Sequence, residues 1–118
     1  MRYLMLIYAE EATSPPPQSE MDAIRQAWMT YDKTIRDAGV ALEGEPLQPS
    51  STATTVRVKG GERVVTDGPF AETREVLGGY YLLDAPDLDT ALDWAARTPA
   101  AQYGGSLEVR PIMDFPRG

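Results

Sequence analysis

The sequence predicts an α+β fold, and three observations carry that prediction. Two segments space their apolar residues three and four apart, as amphipathic helices do. Several short apolar runs have the length of strands, and a Gly-Gly pair joins two alternating segments as a hairpin turn would. These elements interleave along the chain instead of segregating. At 118 residues and 42% hydrophobic content, the chain suits one domain over residues 1–118, with enough apolar material for a packed core.

Tyr3 to Tyr8 is a continuous apolar run with aromatic ends, which predicts a central strand covered on both faces. Glu10 to Gln18 carries Thr13-Ser14-Pro15-Pro16-Pro17, a stiff polar connection. From Ser19 the period becomes helical, with Met21, Ile24, Trp28, Tyr31, Ile35 and Ala38 on one face. Ser19 with Asp22 is expected to form a capping box, and Gly39 stops the helix where a left-handed residue is wanted. Val40 to Gln48 then reads as a strand ending at Pro46 and Pro49, with Glu43 and Glu45 at its exit.

Ser50 to Thr54 is a polar connection. Thr55 to Lys59, Gly60-Gly61 and Glu62 to Thr66 follow as strand, turn and strand. Glu72 to Leu77 is open to either a helical turn or an extended edge. Gly78-Gly79 then releases the chain into the strand Tyr80 to Leu83. Asp87 caps a second helix carrying Leu88, Ala91, Leu92 and Ala95 on one face, and Pro99 is expected to end it. Ala100 to Gly105 reads as a loop, and Ser106 to Ile112 as the closing strand.

That order is the β-α-β-β-α-β of a ferredoxin-like domain with an inserted β-hairpin. Two helices cover one face of such a sheet, yet the Tyr3 and Tyr80 strands are apolar on both. A homodimer with its sheets packed face to face is therefore expected.

Eighteen acidic against eleven basic residues give a net charge of −7, and the basic residues are scattered without a run. Direct nucleic-acid binding is disfavoured on both counts. There is no cysteine and no histidine, which removes thiol nucleophiles, disulfides, imidazole catalysis and the usual zinc ligands. A hard metal held by carboxylates alone stays open, although no metal is assigned; no phosphate-cradling glycine loop precedes a helix, so no cofactor is assigned. The apolar N-terminal run is too short for a membrane span and is followed by acids, which makes a soluble cytoplasmic protein the expectation.

The stretch Asp67-Gly68-Pro69-Phe70-Ala71-Glu72-Thr73-Arg74-Glu75 concentrates special backbone and ionisable side chains. Gly68 tolerates positive φ, Pro69 fixes its own φ, and Phe70 is an apolar anchor before a cluster of polar residues. Asp67 is either a general base at a rigid turn or an acceptor for the turn's own amides. Arg74 is either a fork for a ligand carboxylate or phosphate, or an ion-pair partner of Glu72, Glu75 or a second subunit. Trp28, Tyr31, Tyr80 and Tyr81 either line an apolar pocket between helix and sheet or build the core and dimer face.

This run, with Leu77-Gly78-Gly79-Tyr80-Tyr81-Leu82 after it, resembles the signature of the DGPF-domain group within the YCII-related family. The opening Met1 to Tyr8, Ala85-Pro86-Asp87-Leu88-Asp89 and Glu108 to Ile112 are similar to the family's first strand, second helix start and closing strand. The resemblance implies a dimeric ferredoxin-like fold in bacterial cytoplasmic proteins without an established activity. Members of the wider family that pair a histidine with an aspartate imply an enzymatic dyad, which this chain departs from. Members joined to sigma-factor-like domains imply a transcription-related partner.

Two functions follow. In the first, the protein is a small-molecule binder or small enzyme with Asp67 as acid/base, Arg74 as anion clamp, and Glu72, Glu75 and Tyr80 around the ligand. In the second, it is a non-catalytic protein-interaction module accessory to transcription initiation.

Overall fold

The N-terminal apolar run forms β1 (Arg2–Ala9), and the computed structural model, which describes residues 1–116, sets it inside a four-stranded sheet. After β1 come α1 (Gln18–Asp37), β2 (Ala41–Pro46), a 3-10 turn (Ser50–Thr52), β3 (Thr54–Lys59) and β4 (Glu62–Asp67). The chain then continues through β5 (Val76–Asp84), α2 (Leu88–Ala96), α3 (Pro99–Gln102) and β6 (Ser106–Pro111). The main sheet has the order β2-β5-β1-β6, with every neighbouring pair antiparallel. β3 and β4 form a separate two-stranded ribbon. The fold is thus α+β, as the alternation of elements predicts.

Strand periodicity sorts the side chains. Tyr3, Met5 and Ile7 of β1 share a face with Tyr81 and Leu83 of β5 and with Leu107 and Val109 of β6. Onto that face pack Tyr31 and Ile35 of α1 and Ala91 and Ala95 of α2, forming one core. Met5, Ile35 and Leu83 are wholly buried, each contributing about 1.5–3 kcal/mol by removal from water. Tyr31 meets Trp28, Tyr81 and Trp94 edge-on, and its hydroxyl donates to the Trp94 carbonyl at 2.8 Å. The opposite face carries Leu4, Leu6, Tyr8, Tyr80 and Leu82, all only half-buried, because both long helices lie on the other side.

Several details of the sequence reading are corrected. α1 starts at Gln18 with Pro17 as its N-cap, whose carbonyl accepts the Glu20 and Met21 amides but which makes no side-chain cap bond, so there is no Ser19–Asp22 capping box; the Gln18 side-chain amide donates to Asp22 at 2.9 Å instead. Three prolines fix the entry, and a side-chain cap is not needed to start the turn. Met21 and Ala38 lie outside the core, as do Leu88 and Leu92, because small Ala91 and Ala95 let α2 approach the sheet. Gly78 and Gly79 do not precede β5 but belong to it, and Glu72 to Leu77 is bend followed by strand. Pro99 does not merely end α2: it opens the short α3 within the expected loop, where the Thr98 hydroxyl accepts the Ala101 amide.

Other expectations hold. Gly39 closes α1 at φ 73°, and Asp87 caps α2 by accepting the Thr90 amide at 2.8 Å. Gly60 and Gly61 turn the ribbon with φ of 57° and 81°, the double positive pair of a type I′ hairpin.

Candidate functional site

A cleft of ≈ 440 Å³ lies on the helix side of the sheet, between α1 and the β2–β5 edge. Its floor is backbone, because Gly44, Gly78 and Gly79 place no side chain there. Gly44 is required by close approach: a Cβ at that position would sit within 2.9 Å of the Tyr80 carbonyl and collide with the Tyr81 ring. At Gly79 a Cβ would lie 3.0 Å from the Glu45 carbonyl. Ile7, Trp28 and Met29 supply apolar walls.

The polar end is one connected network. Tyr81 donates its hydroxyl hydrogen to Asp32 Oδ1 at 2.7 Å. Arg36 Nε donates to both Asp32 oxygens at 3.0 and 2.9 Å, and its Nη2 donates to the Gly44 carbonyl at 3.2 Å. Asp32 and Arg36 stand one helical turn apart, which brings them to the same side of α1. Burial and then the Asp32 carboxylate push the Tyr81 phenol well above its ordinary value, so it stays protonated. The Asp32 bond pushes the Arg36 guanidinium up as well. Arg25 completes the rim; its one ion pair among the described residues is a loose 3.8 Å contact with Asp22.

Chemically, the cleft offers guanidinium donors, a protonated phenol whose oxygen lone pairs can still accept, and an aromatic wall. Such a site suits a small, partly apolar molecule with an anionic or acceptor group. Among the described residues no group of carboxylates is placed to hold a metal ion.

Of the residues singled out from sequence, Tyr80 borders this cleft. Its hydroxyl donates to Glu43 Oε1 at 3.3 Å, and loss of solvent followed by the Glu43 charge pushes its phenol up. Trp28 and Tyr81 also line the cleft, whereas Tyr31 lies in the core.

Asp67 to Glu75 forms a different surface. Asp67 ends β4 and is exposed, and Gly68, at φ 96°, donates its amide to the carbonyl of Ala53, just before β3, and accepts the Thr55 hydroxyl of β3. Arg74 forms an exposed ion pair with Glu10, and no partner of Glu72 is seen among the described residues. Glu75 accepts the Ser106 hydroxyl at 3.2 Å through Oε1, while its Oε2 is buried without a hydrogen-bond partner among the described residues. Phe70, expected as an anchor, is 77% exposed, since neither the ribbon nor the sheet reaches over it. The loop enters β5 at Val76, directly before the cleft's Gly78, Gly79 and Tyr80.

Asp32 and Arg36 were not legible as site residues. Their four-residue spacing reads as an ordinary solvated helix pair, and only the position of Tyr81 across the sheet makes it part of a cleft.

The chain is a small α+β protein, an antiparallel sheet with helices on one face and a cleft at its β2–β5 edge. Residues 1–116 match the YCII-related domain, and the chain belongs to that family. It is 38% identical, over 120 aligned positions, to the uncharacterized protein R00369 of Rhizobium meliloti (strain 1021), covering 100% of this chain and 97% of the relative. No helix among the described residues is long and apolar enough to cross a membrane.

Proposed function

We propose that the protein is a small-molecule-binding, enzyme-like domain whose ligand occupies the cleft between α1 and the β2–β5 edge. The observation that carries this reading is the Tyr81–Asp32–Arg36 network at the end of an apolar, glycine-floored cleft. In this reading the ligand's apolar body lies against Trp28, and its anionic end meets Arg25 and the free N–H groups of Arg36. Asp67, Glu72, Arg74 and Glu75 belong to the separate surface before β5, where Asp67 would be the acid/base group of a loop site, the outcome that Asp67→Asn tests. The test is ligand-dependent stabilisation of the wild type against a panel of small carboxylates and phosphates, repeated on Arg25→Ala and Asp67→Asn.

The Asp67-Gly68-Pro69-Phe70 run supports placement in the DGPF-domain group, and the strand order supports the ferredoxin-like reading. The half-buried Leu4, Leu6, Tyr8, Tyr80 and Leu82 support a homodimer packed through that face. A second reading, a protein-interaction module, is favoured by exposed Phe70; pull-down with wild type against Phe70→Ser separates it from ligand binding.

A further inference from the structure

The β3–β4 ribbon has two faces that differ in what they meet. Pairing sets Thr54 opposite Asp67, Val56 opposite Val65 and Val58 opposite Arg63, and strand alternation puts these six on one face. Thr55, Arg57 and Val64 lie on the other, which the chain itself holds: the Thr55 hydroxyl donates to the Gly68 carbonyl at 2.8 Å, and Arg57 Nη2 to the Phe70 carbonyl at 3.4 Å. The first face is open. Val56, Val58 and Val65 are 59%, 71% and 56% exposed, against 40% for Val64. Two strands alone are marginal in water, and sheets bury an apolar face against a second layer.

The open face also carries an order of charge. Arg63 stands at one end and Asp67 at the other, about 13 Å apart along β4, with valines between them. Neither forms an ion pair among the described residues. A face with a cationic end, an apolar middle and an anionic end is complementary to its own copy turned end for end. A two-fold axis running across the strands between two ribbons sets Val65 over Val65, Val56 over Val56, and Arg63 of each copy over Asp67 of the other. An axis along the strands sets Arg63 over Val58 and Asp67 over Thr54, and leaves all four charges unpaired. The charge order therefore selects both the occupant and its direction.

We propose that the valine faces of two copies pack together, β4 crossing β4 in opposite directions, with an Arg63–Asp67 pair closing each end. Three residue pairs cover roughly 200–300 Å² per copy at ordinary strand spacing, against about 800 Å² a side in a stable interface. Alone, the contact holds a transient pair. It lies on a different surface from the helix-free sheet face and from the cleft, so it depends on neither reading of the preceding section.

The test is charge reversal with mixing, read by sedimentation as the rise of mass with concentration. Arg63→Asp and Asp67→Arg each oppose like charges at both ends, and each is expected to weaken association at least tenfold. Asp67→Arg makes the chain less acidic, so general charge repulsion would predict the opposite for it. The double variant Arg63→Asp/Asp67→Arg keeps the net charge of −7 and is expected to associate like the wild type, as is an equimolar mixture of the two single variants. Circular dichroism of each variant checks that it folds. Single variants that associate like the wild type overturn the ribbon contact, and a dimer that survives in them unchanged leaves the sheet-face homodimer standing. Weakening that is not reversed in the double variant and the mixture also overturns it, because the two charges then do not face each other. A wild type that stays at its 13.0 kDa chain mass at every concentration overturns the ribbon contact and the homodimer together.

Discussion

The hydroxyl of Tyr81 lies 2.7 Å from Asp32 Oδ1, joining the β5 strand to α1 across the mouth of the cleft. Tyr81 is a core residue through its ring and a site residue through its oxygen. Its environment gives the most direct predictions.

Tyr81→Phe keeps the ring packing and removes one hydrogen bond to a carboxylate that Arg36 still satisfies. The expected loss is roughly 1–2 kcal/mol, seen as a lower denaturant midpoint with an unchanged slope.

Alkaline stability follows from the same residue with a definite sign. Tyr31 and Tyr81 both keep their protons in the folded chain to higher pH than ordinary tyrosine, chiefly through burial. Above a pH of about 10 the unfolded chain therefore releases protons that the folded chain retains. Stability is fully present below that pH and falls as pH rises beyond it. Unfolding midpoints measured through this range should decline, and Tyr81→Phe should flatten the decline.

Gly44→Ala would drive a methyl group into the Tyr81 ring and the Tyr80 carbonyl. A loss of about 1–3 kcal/mol is expected, lowering the thermal midpoint by several degrees. In a Tyr81→Ala background the same substitution should cost less, because the ring clash is gone and only the Tyr80 carbonyl at 2.9 Å remains.

Asp87→Ala removes the only side-chain acceptor for the Thr90 amide at the start of α2 among the described residues. The Thr90 bonds hold the Asp87 carboxyl below its ordinary value, so this stabilisation is present above the ordinary aspartate range and is lost as pH falls. Thermal scans should show a lower midpoint for the variant near neutrality and convergence with the wild type in acid.

What could be read from sequence tracks how local each signal is. The ribbon turn at Gly60-Gly61, the stop at Gly39 and the cap at Asp87 each depend on a few adjacent residues, and each stands as expected. The start of α1 misled because Ser19 and Asp22 fit a motif that the three prolines made unnecessary. The aromatic set was recognised, but its division was not: Trp28, Tyr80 and Tyr81 border the cleft, whereas Tyr31 fills the core. That division depends on where β5 meets α1. Asp32 escaped notice for the same reason, since its meaning comes from a tyrosine 49 positions away.

The measurement that tests the account most directly is the thermal midpoint of wild type, Arg25→Ala and Asp67→Asn, each with benzoate-like carboxylates and small phosphate esters. A ligand at a hundredfold excess over its dissociation constant stabilises the folded chain by about 2.7 kcal/mol, a shift of several degrees in a domain of this size. The account predicts a compound that raises the wild-type midpoint and loses most of that effect in Arg25→Ala, whose unliganded midpoint matches the wild type. A panel without any stabilising compound would contradict the cleft as the site. So would a shift that survives Arg25→Ala intact and disappears in Asp67→Asn, which would move the site to the loop before β5.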